Sequence, residues 1–512
     1  MTQTWDEEYD VVVIGAGGGS LTGALVAARE GLKVLVAEAT DRFGGTTAYS
    51  GGGLWWPNNQ ALKRAGVEDT PEAAAQYYHG IVGDDSPREL QEAYLAGGPA
   101  LVKYLEDNGL MEFLIYPWPD YFGKEPTAHN EGGRHMMPMY FPAEEMGDLR
   151  DQVRSGLPAE RRGEPLPDMM IGGQALIGRL VLNLSKEPNV TMRRNAEGRK
   201  LIMEDGRVAG VIVSIDGQDK AIKATKGVLV AAGGFEQNQE MREKYGVPGH
   251  ARDTMGAPRN FGLVQQSAIE LGADTALMDQ AWWSPGLTHP DGSSTFSLWF
   301  TGGIFVNNHG ERFVNESWAY DKLGRAIIDL VDEGRMTLPY WMVYDNRAGE
   351  RVPCNATSVP MVETEEYREA GLWHTADTLE ELADKIGVPA DKLVATVERF
   401  NEFAANEKDE DFDRGGEAYD RSFSEGKSPL VPITEGPFHA AQFGLSDLGT
   451  KGGLKTDVDA RVLDTGGNVI PGLYAAGNSM APASGKVYPG GGNPIGSSMV
   501  FSYLAALDMA KN

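Results

Sequence analysis

Cysteine is nearly missing from this 512-residue chain: Cys354 stands alone. A single thiol excludes an intrachain disulfide, a Cys-x-x-Cys redox pair and a thiolate metal site. Basic residues are scarce. Lys and Arg number 46 against 74 Asp and Glu, a formal charge of −28. Phosphate recognition needs clustered cations, so nucleic acid is not an expected partner. No apolar run reaches 18 residues, and no membrane span is expected. The start, Met1-Thr2-Gln3-Thr4-Trp5-Asp6-Glu7-Glu8, has neither the basic nor the apolar stretch of a signal peptide. A cytoplasmic location is expected. The eight histidines show no His-x-His or His-Glu-x-x-His spacing, so no metal site is assigned.

What is abundant is glycine in ordered clusters. The first follows the short apolar strand Asp10–Ile14 and reads Gly15-Ala16-Gly17-Gly18-Gly19-Ser20. A helix-compatible stretch, Leu21–Glu30, comes next, then a second apolar strand, Lys33–Ala37, ending at Glu38. The pattern predicts a β-α-β unit with a right-handed crossover. Gly15 permits the tight turn and Gly17 a close backbone approach to a pyrophosphate. Ser20 takes the third position, where helix packs on strand. Glu38 is placed to bond a ribose hydroxyl.

Further along, Asp205-Gly206 and Asp216-Gly217 separate β-rich runs at Leu201–Glu204, Arg207–Val213 and Ala221–Ala224. Two such turns predict a small antiparallel meander. A separate buried strand is expected at Gly227–Val230, running into Ala231-Ala232-Gly233-Gly234. Thr378-Leu379-Glu380-Glu381 reads as a capping box. Pro389 suits the first turn of the next helix, with Leu393, Val397, Phe400 and Ala404 at helical spacing. Residues 405–428, including Asp409-Glu410-Asp411, are polar and charged and predict an exposed loop. The expected fold class is α/β. A discontinuous Rossmann-like unit, 1–280 and 448–512, surrounds an inserted α+β unit, 281–447.

Distant segments favour FAD over a nicotinamide cofactor. Arg42-Phe43-Gly44-Gly45-Thr46-Thr47-Ala48-Tyr49-Ser50-Gly51-Gly52 lies just after the second strand, and Ala475-Ala476-Gly477-Asn478 lies near the C-terminus. Small residues and hydroxyls let a long cofactor lie along the backbone. Candidate cofactor-binding residues are Gly15, Gly17, Gly18, Gly19, Ser20, Glu38, Ala39, Gly44, Gly45, Thr46, Thr47, Ser50, Gly51, Gly233, Gly477, Asn478, Pro494 and Ile495. Ser484-Gly485-Lys486-Val487-Tyr488-Pro489-Gly490-Gly491-Gly492-Asn493-Pro494-Ile495-Gly496 sets a phenol and bare N–H groups at the mouth of a last helix. Such donors hold a carbonyl oxygen as it becomes negative. Ile495, Met499, Tyr503 and Leu507 share one face of that helix.

The chain resembles the 3-ketosteroid Δ1-dehydrogenases, within the fumarate-reductase-like flavoproteins. The resemblance rests on Asp41-Arg42-Phe43-Gly44-Gly45-Thr46, Pro119-Asp120-Tyr121, Asn315-Glu316-Ser317 with Tyr320, Ser446-Asp447-Leu448-Gly449-Thr450-Lys451-Gly452-Gly453, and Tyr488-Pro489-Gly490 with Gly492. It implies 1,2-dehydrogenation of a 3-ketosteroid A ring in steroid catabolism. By resemblance Tyr488 and the Gly492 N–H bind the C3 carbonyl, Tyr320 takes the C2 proton, and Tyr121 supports Tyr320. Flavin N5 accepts hydride from C1, and an external, quinone-like acceptor removes the electrons. A phenol with a pKa of about 10 is ionised to about one part in a thousand at pH 7. A hydrogen bond from Tyr121 is therefore expected to favour the Tyr320 phenolate. Trp118, Phe296, Trp299 and Phe300 are candidates to line an apolar steroid slot. Of the adjacent Trp282 and Trp283, at most one is expected to face it.

Three departures accompany the resemblance. Ser20 replaces a glycine. Asn478 stands where relatives often carry an acid. Gly490-Gly491-Gly492 lacks the proline interruption of a tighter loop. Other readings are a fumarate- or enoate-type reductase, a ketosteroid dehydrogenase acting at another ring position, and a non-catalytic flavin-binding protein. Fumarate chemistry needs arginines to clamp two carboxylates, and Arg312 and Arg325 are the candidates.

Overall fold

A computed structural model describes residues 4–356, 363–424 and 427–512. Val11, Val12, Val13 and Ile14 are β-branched and buried, as a strand covered on both faces requires. They lie in the strand Glu7–Ile14. It pairs in parallel with Val34–Ala37 on one side and Gln218–Val230 on the other. Val190–Arg193 continues the parallel sheet beyond Val34–Ala37, and Val469–Ala475 beyond Gln218–Val230. Eight strands drawn from residues 7 to 475 therefore make one sheet.

The Asp-Gly turns form as expected. Asp205, Gly206, Asp216 and Gly217 all have positive φ, the signature of type I′ hairpins. The last meander strand differs from expectation. Gln218–Val230 is one continuous strand of 13 residues, not two. Its first half pairs with Arg207–Ile215 and its end pairs with Val469–Ala475. Glu7–Ile14 runs beside it from Ile222 to Val230, with a register shift between Tyr9 and Val11.

A second sheet of seven strands draws on residues 281–450. Its longest member, Phe438–Thr450, pairs antiparallel with Ala281–Thr288, Tyr340–Asp345 and Trp373–Ala376. The Thr378 hydroxyl caps the helix Leu379–Ile386 by accepting from the Glu381 N–H. Pro389 precedes the helix Ala390–Ala405, whose Leu393, Val397 and Phe400 are buried.

Residues 405–428 meet the exposed-loop expectation only in part: Glu407, Lys408, Glu410, Asp411 and Asp413 are exposed, but others turn inward. Asp409, Arg414, Tyr419 and Asp420 are all buried, and Ala418–Ser422 is a short helix. Two of the segment's charges, Asp409 and Arg414, are paired inside the protein. Asp409 meets Arg312 at 2.8 Å, and Arg414 meets Glu316 at 3.1 Å. Removing one partner of such a buried pair typically costs about 3–5 kcal/mol.

Candidate active site

The first helix begins at Gly18, three residues earlier than its apolar pattern suggests, and runs to Arg29. Its N-cap, Gly17, supplies no side-chain cap. Apart from the Gly18 N–H, which donates to the Thr47 hydroxyl, the first-turn amides lack a side-chain cap and point where an anion can meet them. A cleft at this end is lined by Gly15, Glu38, Ala39, Ala232, Pro258 and Asn260. Gly15 has φ +100°, and a Cβ there would lie 2.5 Å from the Ala231 carbonyl oxygen, so only glycine fits. Ser20 occupies its departure position productively: its hydroxyl donates to the Ala231 carbonyl at 2.7 Å.

The 44–51 segment folds over the helix start. Gly18 N–H donates to the Thr47 hydroxyl, and Gly45 lies beside Gly17. Gly44 has φ +133°. Thr46 accepts from Ala257 N–H, and Ser50 donates to the Thr47 carbonyl. A Cβ on Gly51 would meet open space. Gly19 has a different neighbour. A Cβ there would fall 2.0 Å from Ser498 Oγ on the last helix, Asn493–Lys511, so this glycine lets the two helices pack. Gly477 faces the same Ser498, while Gly18 faces Ile495. Pro494 sits in the first turn of the last helix. Gly233 accepts a bond from Ser479 through its carbonyl. Glu38 is buried, and its carboxylate accepts from the Thr40 N–H and hydroxyl. Burial raises its pKa above the usual range.

These groups fit an FAD. Two helix N-termini, at Gly17 and Gly492, begin without side-chain caps. An acid stands at the end of the second strand, and glycines leave room along the connecting segment. Asn478 already has one partner, accepting from Trp282 Nε1 at 3.0 Å.

On the other side lie the tyrosines. Tyr121 comes from a loop, Tyr320 opens the helix Tyr320–Asp332, and Tyr488 precedes the last helix. The structure brings all three together. Ring centres are 5.9 Å apart for Tyr121 and Tyr320, 5.3 Å for Tyr121 and Tyr488, and 5.5 Å for Tyr320 and Tyr488. The Tyr121 and Tyr320 oxygens are 3.5 Å apart. Gly492 N–H points to the Tyr488 oxygen at 3.4 Å. All three rings are buried.

Buried polar residues brace the segments that carry Tyr121 and Tyr320. Asp120 accepts from Trp55 Nε1, Arg134 and the His129 N–H, and so fixes Tyr121. Ahead of Tyr320, Asn315 donates to Asp420, and Ser317 accepts from Arg414. Asp447 accepts from Arg242 and Thr254 beneath the 446–453 segment.

The expected easing of the Tyr320 phenol is not found. Burial pushes its pKa well above 10, and repulsion from Tyr121 and Tyr488 adds to the rise. Neither neighbour is a cation. Tyr488 is pushed up to about 12 by burial, offset by its bonds from Tyr320 and Gly492. All three phenols are neutral donors at neutral pH.

Aromatic residues surround the phenols. Phe296 meets Tyr320 edge-on at 4.9 Å, and Trp282 meets Tyr488 at 5.2 Å. Trp283 turns away to pack with Phe235 and Met241. Trp118 and Trp299 flank Phe423, 5.1 and 5.0 Å away. Trp299 has φ +58°, an uncommon conformation for a bulky residue. Phe300 belongs elsewhere: it packs on Phe305 and Phe443 in a separate core. The strand Ser294–Leu298 ends just before this pair, and the left-handed turn at Trp299 separates its ring from that of Phe300. Tyr419 and Phe423 were missed by the loop reading. Tyr419 lies 4.9 Å from Tyr121. Their spacing of four residues was the available helical signal.

The arginines proposed for dicarboxylate binding are engaged. Arg312 pairs with Glu316 and Asp409, and Arg325 with Asp321. Among the described residues no cluster of His, Cys, Asp and Glu could hold a metal. No helix among them is long and apolar enough to cross a membrane.

The nucleotide cleft opens at the start of the first helix and Tyr488 lies at the start of the last, two helices that pack together through Gly19 and Ser498, the layout of a dinucleotide-dependent oxidoreductase. The model of the family described as FAD binding domain matches residues 10–495. The chain is 38% identical to a 3-oxosteroid 1-dehydrogenase of Mycolicibacterium smegmatis, covering 98% of this chain and 97% of that protein. It is 35% identical to a 4-oxocyclohexanecarboxylate 2-dehydrogenase of Sinomonas cyclohexanicum, over 98% and 93%. A solved 3-ketosteroid Δ1-dehydrogenase from Sterolibacterium denitrificans, in complex with 1,4-androstadiene-3,17-dione, superposes with a TM-score of 0.90. It is 32% identical, over 99% of this chain and 100% of that one. The chain belongs to the 3-oxosteroid 1-dehydrogenase family of FAD-binding flavoproteins, and its cofactor is FAD.

Proposed function

We propose that this protein is an FAD-dependent 3-oxosteroid 1-dehydrogenase that removes hydrogen from C1 and C2 of the A ring. The observation that carries the reading is the burial of Tyr121, Tyr320 and Tyr488 against one another, with Gly492 N–H 3.4 Å from the Tyr488 oxygen.

Tyr488 O–H and Gly492 N–H bind the C3 carbonyl oxygen. A carbonyl entering between them accepts from both, and their long mutual contact is given up. Two such donors draw electron density onto the oxygen and acidify C2, each being worth a factor of about 10² to 10³. The phenolate form of Tyr320, a small fraction at neutral pH because burial raises its pKa, takes the C2 proton onto its oxygen and becomes the neutral phenol. Tyr121 is within reach to donate to that oxygen, or to pass its proton onward, as Tyr320 changes charge. Trp118, Phe296 and Trp299 bound the apolar slot and exclude water. Glu38 and the Gly17 helix start hold the ribose and diphosphate of FAD. Bound FAD supplies the two-electron oxidant that accepts the hydride from C1. An external quinone-like acceptor is the partner the reaction requires, and a cytoplasmic setting remains part of this reading. Residues 1–280 and 448–512 make up a discontinuous Rossmann-like FAD unit. Residues 281–447 form the inserted α+β unit, a division supported by the separate sheets.

Anaerobic mixing of the yellow holoenzyme with androst-4-ene-3,17-dione tests this. Bleaching of the flavin and a product two hydrogens lighter at C1–C2 are expected. No bleaching and no product would end the reading. Desaturation at another ring position would replace it with the alternative regiochemistry.

A further inference from the structure

Two buried side chains hold the Tyr488 loop by its carbonyls, and neither has a role in the steps above. The Tyr77 hydroxyl donates to the Pro489 carbonyl at 2.6 Å. The same hydroxyl accepts from the Phe122 N–H at 3.3 Å. The Pro489 carbonyl also accepts from the Tyr121 N–H at 3.1 Å. One phenol therefore joins the residue after Tyr488 to the residue after Tyr121, across more than 360 positions of chain.

Tyr77 is itself rigidly placed. It is fully buried on the helix Pro71–Val82. Its ring lies 6.0 Å from Trp55, with the Arg134 guanidinium 5.2 Å from its centre. Arg134 in turn pairs with Asp120 at 2.8 Å. Burial, with the charge of Asp120 nearby, keeps the phenol protonated and so a donor.

Lys451 holds the other side of the loop. Its Nζ donates to the Lys486 carbonyl at 2.6 Å and approaches the Val487 carbonyl at 3.5 Å. It stands 3.8 Å from the centre of Trp282, the ring that packs on Tyr488. An amine donates in either protonation state, so the bond does not depend on the charge.

We propose that Tyr77 is a positioning residue that sets the Tyr488–Gly492 clamp and Tyr121 as one unit, while Lys451 fixes only the clamp. What that unit does rests on the steroid-dehydrogenation reading. The coupling itself does not. A displacement of about 1 Å in a reacting constellation can lower the rate about 10²-fold. Joining clamp and relay at one carbonyl keeps the substrate oxygen and the proton path in register.

The test uses the FAD-loaded protein as wild type, Tyr77→Phe and Lys451→Met, read by amide hydrogen exchange and by kinetics. Tyr77→Phe keeps every ring contact and removes one hydroxyl. Residues 120–123 and 488–492 are expected to exchange together, about tenfold faster. The kcat for androst-4-ene-3,17-dione should fall about 10²-fold, with KM changed less than about threefold. Lys451→Met should speed exchange in 486–492 alone. Unchanged exchange in either segment of Tyr77→Phe, or wild-type kcat, overturns the proposal. If Tyr77→Phe does not fold, Lys451→Met still decides. Loosening of both segments, or of neither, in that variant refutes separate anchoring. A wild type inert toward the steroid, with the exchange pattern intact, refutes the steroid reading and upholds the coupling.

Discussion

The nucleotide cleft and the phenol cluster lie at the starts of two helices that pack together but are built in opposite ways. The cleft is made of neighbours. Gly15, Gly17, Gly18 and Ser20 lie within six residues, and Glu38 follows one helix and one strand later. The phenol cluster gathers Tyr121, Tyr320, Tyr419 and Tyr488 from four separated segments. The cleft works by leaving side chains out, the cluster by burying them. A local motif can form with its own strand and helix, whereas the cluster exists only after both sheets are in place.

The largest test of that contrast is Tyr320→Phe. General-base catalysis is worth a factor of about 10² to 10⁴, and the top of that range is expected in turnover. Steroid binding, followed by flavin absorbance, should change only a few-fold. Turnover within a few-fold of wild type would remove Tyr320 from the chemistry. Tyr488→Phe should come next, at about 10² to 10³. Its turnover is measured beside Gly492→Ala, where a Cβ would fall 2.0 Å from the Gly53 carbonyl carbon at φ +91°. That variant should lose stability as well as rate, which a calorimetric scan would show.

Gly51→Ala sharpens the comparison from the cleft side. Its Cβ meets no protein atom, so the melting temperature of cofactor-free protein should not move. FAD affinity should weaken about tenfold, the size of one lost close contact at 1.4 kcal/mol. Unchanged affinity in a fluorescence titration would place the cofactor elsewhere.

A pH profile sets the two regions apart again. The Tyr320 phenol is held well above 10 by burial, so its basic form grows with pH. The logarithm of kcat/KM is expected to rise by about one per pH unit from 7 to 9. A flat profile at constant ionic strength would exclude phenolate as the reactive base.

The smallest effect concerns Glu236, a buried carboxyl under the 446–453 segment, pushed up to about 7 by burial. A folded-state pKa above the usual 4.5 means that the protonated form favours folding. That contribution is present below about pH 4.5 and is lost as pH rises through about 7. Glu236→Gln should therefore raise the melting temperature by about 1–3 °C at pH 8 and change nothing at pH 4. Equal shifts at both values would contradict the raised pKa.

Legibility follows the same divide. The β-α-β start, the Asp-Gly hairpins and the capped helix at Thr378 depend on residues close in sequence, and all three form where expected. The segment 405–428 read as exposed because charge is normally hydrated. Asp409 and Arg414 turn inward because Arg312 and Glu316, about a hundred residues earlier, complete their ion pairs, while their charged neighbours stay exposed. Phe300 looked like a neighbour of Trp299 in function as well as in sequence. The backbone sends one ring to the slot and the other to a separate core. Tyr77 carries no sequence signal, since its role lies in a carbonyl 412 residues away.

By itself the amino-acid order determined the cofactor class and the parallel strands, because glycine placement and turn chemistry act over a few residues, and its resemblance to a known family singled out the three phenols worth watching. Folding in three dimensions decided the rest. It set which rings share one buried space, how far burial raises their pKa values, and which donors hold the clamp. Those outcomes depend on distances and dielectric surroundings that arise only when remote segments pack together.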